Sequence, residues 1–215
     1  MLIVFLKGLI VGLGASVPLG PLGVLCIQKT LSKGKLSGFL TGLGASVSDT
    51  FYSTISMLGL FLVEDFVTNN KGIVFLVGGI IIFLIGLRVY ASNPVKQIRQ
   101  KHKKSSKVGD FLEAFAMTIT NPGSIFLIFA MFAAVRFDVS AFETEARSVV
   151  YTVLWGIFLG SALWWFTLTT LVNIFRKKFR LKQLIIMNRI AGVVIAALGA
   201  ISFCEGIIET LVLKK

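Results

Sequence analysis

Ser46, Asp49, Ser53 and Ser56 follow one another at intervals of three, four and three residues. On a helix this spacing puts one carboxylate and three hydroxyls on a single face. The surrounding stretch, residues 34–56 (GKLSGFLTGLGASVSDTFYSTIS), is otherwise small and apolar and forms the first two-thirds of a segment long enough to cross a bilayer. A carboxylate halfway along a membrane helix costs about 2.5–3.5 kcal/mol on insertion scales and marks a site by default. Asp49 there can bind an ammonium group, carry a proton, or alternate between the two. The plainer role is structural, a carboxylate held by hydroxyls or by a kinked backbone.

Two other stretches bring polar backbone into apolar runs, Pro18-Leu19-Gly20-Pro21 and Asn121-Pro122-Gly123. A proline inside a helix removes one donor and clashes with the carbonyl four residues back. In lipid the freed groups need new partners, and the first helix should kink or unwind there for about one turn. Carbonyls and amides exposed at such a break can hold a small zwitterion or cation, although prolines and glycines also serve as plain kinks. Thr118, Thr120 and Ser124 surround the second break. Asn121 can donate and accept, so it either satisfies freed backbone or holds an amino or carboxyl group. The candidate translocation residues are therefore Pro18, Gly20, Pro21, Ser46, Asp49, Ser53, Asn121 and Pro122, with Asp49 as the proton-coupling group.

The elements that position these groups follow from composition. Of 215 residues 55% are hydrophobic and only 15% charged, with a mean hydropathy of +0.87. A soluble domain carries about 25% charged residues, so this is an all-α integral membrane protein. Six apolar stretches, near 8–28, 38–63, 72–91, 111–135, 149–174 and 185–211, each reach the ~20 residues a membrane helix needs. The first begins like a secretory signal around Lys7, but its apolar run continues to Ile27. That is too long for a cleaved leader. Loops one, three and five hold 14 of the 22 basic residues. The positive-inside rule then makes these loops cytoplasmic and puts both termini outside the cell membrane.

The formal net charge of +12 sits between apolar spans. Anionic lipid headgroups at the basic loops are its natural partners, and no basic–aromatic pattern suggests nucleic acid. Cys26 and Cys204 occupy separate apolar segments, with no Cys-x-x-Cys pair, and read as buried structural thiols. The single histidine, His102, lies in a lysine cluster. No metal or other cofactor is expected. Without a Ser/His/Asp set or a Walker A loop, the chain reads as no enzyme, and any transport draws on an ion or substrate gradient.

The basic linker 92–110 divides two stretches, 1–91 and 111–215, of three spans each. Gly79 and Gly86 in the third span match Gly192 and Gly199 in the sixth; Gly38 and Gly42 match Gly156 and Gly160; the proline breaks match each other. An odd number of spans per half inverts the second half, giving two inverted three-helix repeats with broken helices 1 and 4, an architecture of secondary transporters. Aligning Gly42 with Gly156 sets Asp49 opposite Leu163, so the second half lacks the acid. Glu205 is the rival membrane carboxylate. Arg88, Glu113 and Arg189 fall near cytoplasmic ends, where they can snorkel or pair. The small faces Gly8/Gly12, Gly38/Gly42 and Gly156/Gly160 suit packing within one chain or a homodimer.

Taken together, the whole chain resembles the LysE/RhtB family of amino-acid exporters. The resemblance rests on Pro18-Leu19-Gly20-Pro21, on Gly34, Gly38, Gly42, Gly44 and Asp49, on Asn121-Pro122, and on Arg189, Gly192 and Gly199. It implies export of amino acids or related small metabolites, driven by the proton gradient. One position departs: where family members often have lysine after Asn-Pro, this chain has Gly123. The expectation is a secondary active, alternating-access exporter. A non-transporting membrane scaffold or assembly subunit, or a small-solute or ion channel, is the alternative.

Overall fold

The computed structural model describes residues 1–17, 20–62, 70–92, 106–135, 141–175 and 182–211. Pro18 and the basic stretches 96–104 and 176–180 lie outside the described residues. Among those described, the regular elements are all helices: α1 (Leu2–Ser16), α2 (Pro21–Lys33), α3 (Lys35–Leu62), α4 (Lys71–Ala91), α5 (Lys107–Ile119), α6 (Pro122–Ala134), α7 (Ala141–Ile174) and α8 (Lys182–Leu211).

Both expected breaks are present, and each is sharper than a one-turn kink. α1 and α2 meet at 82°, α5 and α6 at 77°. Pro21 and Pro122 open new helices. Proline suits this position because its missing N–H is one that the helix leaves unpaired. α5 starts inside the stretch read as linker, where the Ser106 hydroxyl accepts from the Gly109 amide at 3.1 Å.

α4, α7 and α8 each contain a segment long and apolar enough to span a membrane, and the two bent pairs bring the number to as many as five. α3 is long enough but too polar to join them by composition. Its arrangement explains why: Ser37, Thr41, Ser46, Ser48, Asp49, Ser53 and Ser56 are buried, while Val47, Phe51, Ile55 and Leu58 face outward. A helix with its hydroxyls inside and its aliphatics outside is built for an apolar solvent. α4 and α8 likewise expose Val77, Ile81, Leu84, Ile190, Val194 and Ile201.

Glycines set the packing. α4 and α8 run antiparallel in backbone contact: a methyl on Gly72 would meet Thr210, on Gly79 Phe203, on Gly86 Ala196 and on Gly192 Tyr90. α1 and α7 run parallel, with Gly8 against Val153, Gly12 against Ile157 and Gly160 against Leu9. α3 and α5 also run parallel, with Gly44 against Phe111 and the Ser48 hydroxyl on the Phe115 carbonyl. α3 crosses α7 antiparallel, Gly42 lying under Trp165. The three small faces noted in the sequence are thus used within the chain.

α2 and α3 turn back on each other through Gly34 alone, at φ +97° and ψ +169°. L side chains rarely adopt this conformation, and holding one there costs about 1–3 kcal/mol. Because a methyl at Gly34 meets nothing within 4 Å, strain is the only penalty. Gly34→Ala should lower the unfolding temperature in detergent, and an unchanged temperature would show that the turn relaxes freely.

Candidate functional site

Asp49 lies 14 residues into α3, about 21 Å along a helix rising 1.5 Å per residue. It is buried, and its partners come from two other helices. The Ser161 hydroxyl of α7 donates to Asp49 Oδ2 at 3.1 Å, and the Ser16 hydroxyl at the end of α1 lies 3.3 Å from the same oxygen. Ser161 Oγ is also 2.8 Å from Ser16 Oγ and 2.8 Å from Ser46 Oγ. A hydroxyl has one proton to give. Ser161 therefore accepts from its serine neighbours while donating to the acid, which places a connected hydroxyl chain around the carboxylate. All three serines are buried.

The other sequence candidates divide. Ser46 joins the cluster, and the Ser53 hydroxyl donates to the Asp49 carbonyl at 2.7 Å. Gly20 and Pro21 form the start of α2, the helix that follows the Ser16 end of α1. Pro122 starts α6. Asn121 is exposed and its side-chain oxygen accepts from the Gly123 amide at 3.1 Å, so its amide group serves the backbone turn. The Tyr52 hydroxyl, one turn beyond Asp49, binds the Ile119 carbonyl at the end of α5. This ties the second break to α3.

Packing gives α3 and α7 a matching set of contacts. Gly156 and Gly160 of α7 abut the carbonyls of Phe5 and Leu9 on α1, as Gly44 and Ser48 of α3 abut those of Phe111 and Phe115 on α5. Counting from these matched contacts, the position equivalent to Asp49 is Ser161, its hydrogen-bond partner. Leu163 is 49% exposed. Gly42 faces Trp165 of α7, whereas Gly156 faces α1.

A second polar cluster includes Glu113, expected to snorkel or pair, together with residues the sequence did not single out. Lys29 was counted as a loop charge, but it lies on α2 and is only 2% exposed. Its ammonium is 2.6 Å from Asp110 Oδ1 and 2.8 Å from Glu113 Oε2, both on α5. Lys33 approaches the same Asp110 oxygen at 3.0 Å, and the Ser37 hydroxyl of α3 donates to Asp110. Asp110 is fully buried. The signal was present, since Leu22, Cys26 and Lys29 share one face of α2 and Asp110, Ala114 and Thr118 one face of α5. Burial thus takes Lys29 away from any lipid headgroup.

Smaller corrections follow from burial. Cys26 is buried, its thiol 3.2 Å from the Gly38 carbonyl, whereas Cys204 is exposed on α8. Glu205 is half-buried on the same helix. Arg189 lies 5.8 Å from the centre of the Tyr90 ring. Gly14, Val17, Met131, Trp164, Ala191 and Ile195, from α1, α6, α7 and α8, help line a largely apolar cavity of about 280 Å³. The buried Trp164 indole nitrogen has no hydrogen-bond partner among the described residues.

Comparison with known proteins covers nearly the full chain. The family model described as "LysE type translocator" matches residues 13–205. A relative from Bacillus subtilis (strain 168), named "Putative amino acid efflux protein YcgF", is 26% identical over 211 residues, spanning 97% of this chain and 99% of its own. No solved structure matches.

Proposed function

Because the chain belongs to the LysE type translocator family, we propose that this multi-pass membrane transporter exports amino acids or related small metabolites by proton-coupled alternating access. The observation that carries this reading is the Asp49 cluster, a buried acid wrapped by hydroxyls from α1, α3 and α7. Such a group can hold a substrate ammonium in one state and a proton in another. α1 ends at Ser16 and α2 begins at Pro21, so the helix break adjoins the hydroxyl cluster in the chain. The amino-acid class is supported by the printed name of the Bacillus subtilis relative.

The helix directions support six spans arranged as two inverted repeats, 1–91 and 111–215. A two-fold axis in the membrane plane would exchange α1 with α5 and α3 with α7. The parallel pairs α1/α7 and α3/α5 are then equivalent, and α4/α8 must be antiparallel, as its glycine contacts require. We place the protein in the inner membrane with loops one, three and five cytoplasmic and the termini outside.

Reconstituted protein should show saturable uptake of one or more of L-leucine, L-threonine and L-lysine into vesicles, stimulated by an imposed proton gradient. Flux that rises linearly with concentration would point to a channel. Absence of flux for a broad amino-acid panel would leave a non-transporting role.

A further inference from the structure

We propose that Lys29, Lys33, Asp110, Glu113 and Ser37 form a latch and entry station for the zwitterionic head of the substrate, on the loop-one and loop-three side of Asp49. The proposal rests on the amino-acid transport reading for its ligand class. Its geometry comes from the buried charge cluster alone.

The cluster joins the two halves of the chain: α2 and α3 supply the cations and the hydroxyl, and α5 supplies both carboxylates. Ser37 sits near the start of α3, twelve residues before Asp49, which is about 18 Å along the helix. With α2 and α5 fastened together at this level, a solute approaching Asp49 from that side must part them.

Parting them carries a specific penalty. Lys29 and Asp110 are 2% and 0% exposed, and a buried charge stripped of its partner is strongly unfavourable. Among the described residues two cations face two anions. A zwitterion can replace both halves of the ion pair together, its carboxylate taking Lys29 and its ammonium taking Asp110. Lys29 and Asp110, the two most buried charges of the cluster, then each keep a counter-charge. A methyl ester would bring only a cation and an N-acetyl derivative only an anion, each leaving one buried charge uncompensated. The same chemistry that recognises the substrate would therefore keep the latch shut to solutes lacking either charge.

The test reads access to the space behind the latch. Ser46→Cys, placed in a Cys26→Ala/Cys204→Ala background, reports from nine residues beyond Ser37. Full-length protein in proteoliposomes is labelled with a membrane-impermeant maleimide supplied from one side or the other. Labelling from the loop-three side should be slow without ligand. At least one of L-leucine, L-threonine and L-lysine should accelerate it about fivefold or more, the low end of ordinary coupling between sites. The methyl ester and N-acetyl derivative of that amino acid should not. In Asp110→Asn/Glu113→Gln, labelling should be fast from the start and indifferent to ligand.

Equal acceleration by the amino acid and its ester, or no acceleration by any of the three, overturns the latch. This comparison needs no latch variant, so a poorly folding double substitution does not blunt it. Flux measured on parallel vesicles that hold the unsubstituted protein separates the two ideas. Amino-acid flux without zwitterion-specific labelling removes the latch and keeps the transporter reading. Zwitterion-specific labelling without flux does the reverse.

Discussion

Asp49→Asn is expected to abolish proton-stimulated flux while leaving the helix bundle folded. Asparagine is nearly isosteric, and its side-chain oxygen can still accept from Ser161, which donates to Asp49 Oδ2. What is lost is the ability to become charged, and with it both proton carriage and attraction for an ammonium group. A fall in flux of at least about 100-fold, near 2.7 kcal/mol at 1.36 kcal/mol per decade, should accompany an unchanged unfolding temperature. Retention of gradient-driven flux would remove Asp49 from the coupling step. The equivalence of Asp49 and Ser161 sharpens the test. Asp49→Ser should be inactive, and adding Ser161→Asp should restore part of the flux, because the acid then re-enters the same hydroxyl cluster from the facing helix. If the doubly substituted protein folds but stays inactive, the acid is needed on α3 specifically.

Removing Asp110 alone should be strongly destabilising. Asp110→Ala leaves the buried Lys29 ammonium without its nearest counterion, and breaking a buried pair from one side costs about 3–5 kcal/mol. Replacing both partners, as in Lys29→Met/Asp110→Leu, should recover most of that loss, since apolar side chains of similar size remove the desolvation penalty along with the attraction. Denaturant unfolding in detergent compares the two. A single variant as stable as the parent would mean that water reaches Lys29 once Asp110 is gone, and that the cluster is less buried than its exposure indicates. The partly exposed Lys33 and Glu113 should matter less when truncated singly, because solvent replaces much of what each loses.

Much of the site was legible in the sequence because it is written in local patterns. The inward face of α3 follows from hydroxyls and an acid recurring at helical spacing. Both helix breaks follow from prolines that can begin a helix but not continue one. The glycine pairs of α4 and α8 read in the sequence as a repeat signature, and in the structure the two helices pack closely through them. Local pattern failed where a residue's role depends on a distant helix. Lys29 was read from its basic neighbours as a loop charge, although its own helical face is apolar. Asp110 was read as the end of a linker because the helix that buries it starts at Lys107.

Sequence alone thus determined a helical membrane protein, two broken helices and one acid that had to face inward, since each is a matter of composition or of spacing within a few residues. Tertiary structure decided what that acid touches and what lies between it and the loop-three side. The Ser16, Ser161 and Lys29 contacts join residues 33, 112 and 81 positions apart. Contacts across such separations are fixed by how glycine-lined helices pack, and helical periodicity within one segment carries no information about the register of another. The run 34–56 could therefore show that Asp49 faces inward, but not that it faces Ser161.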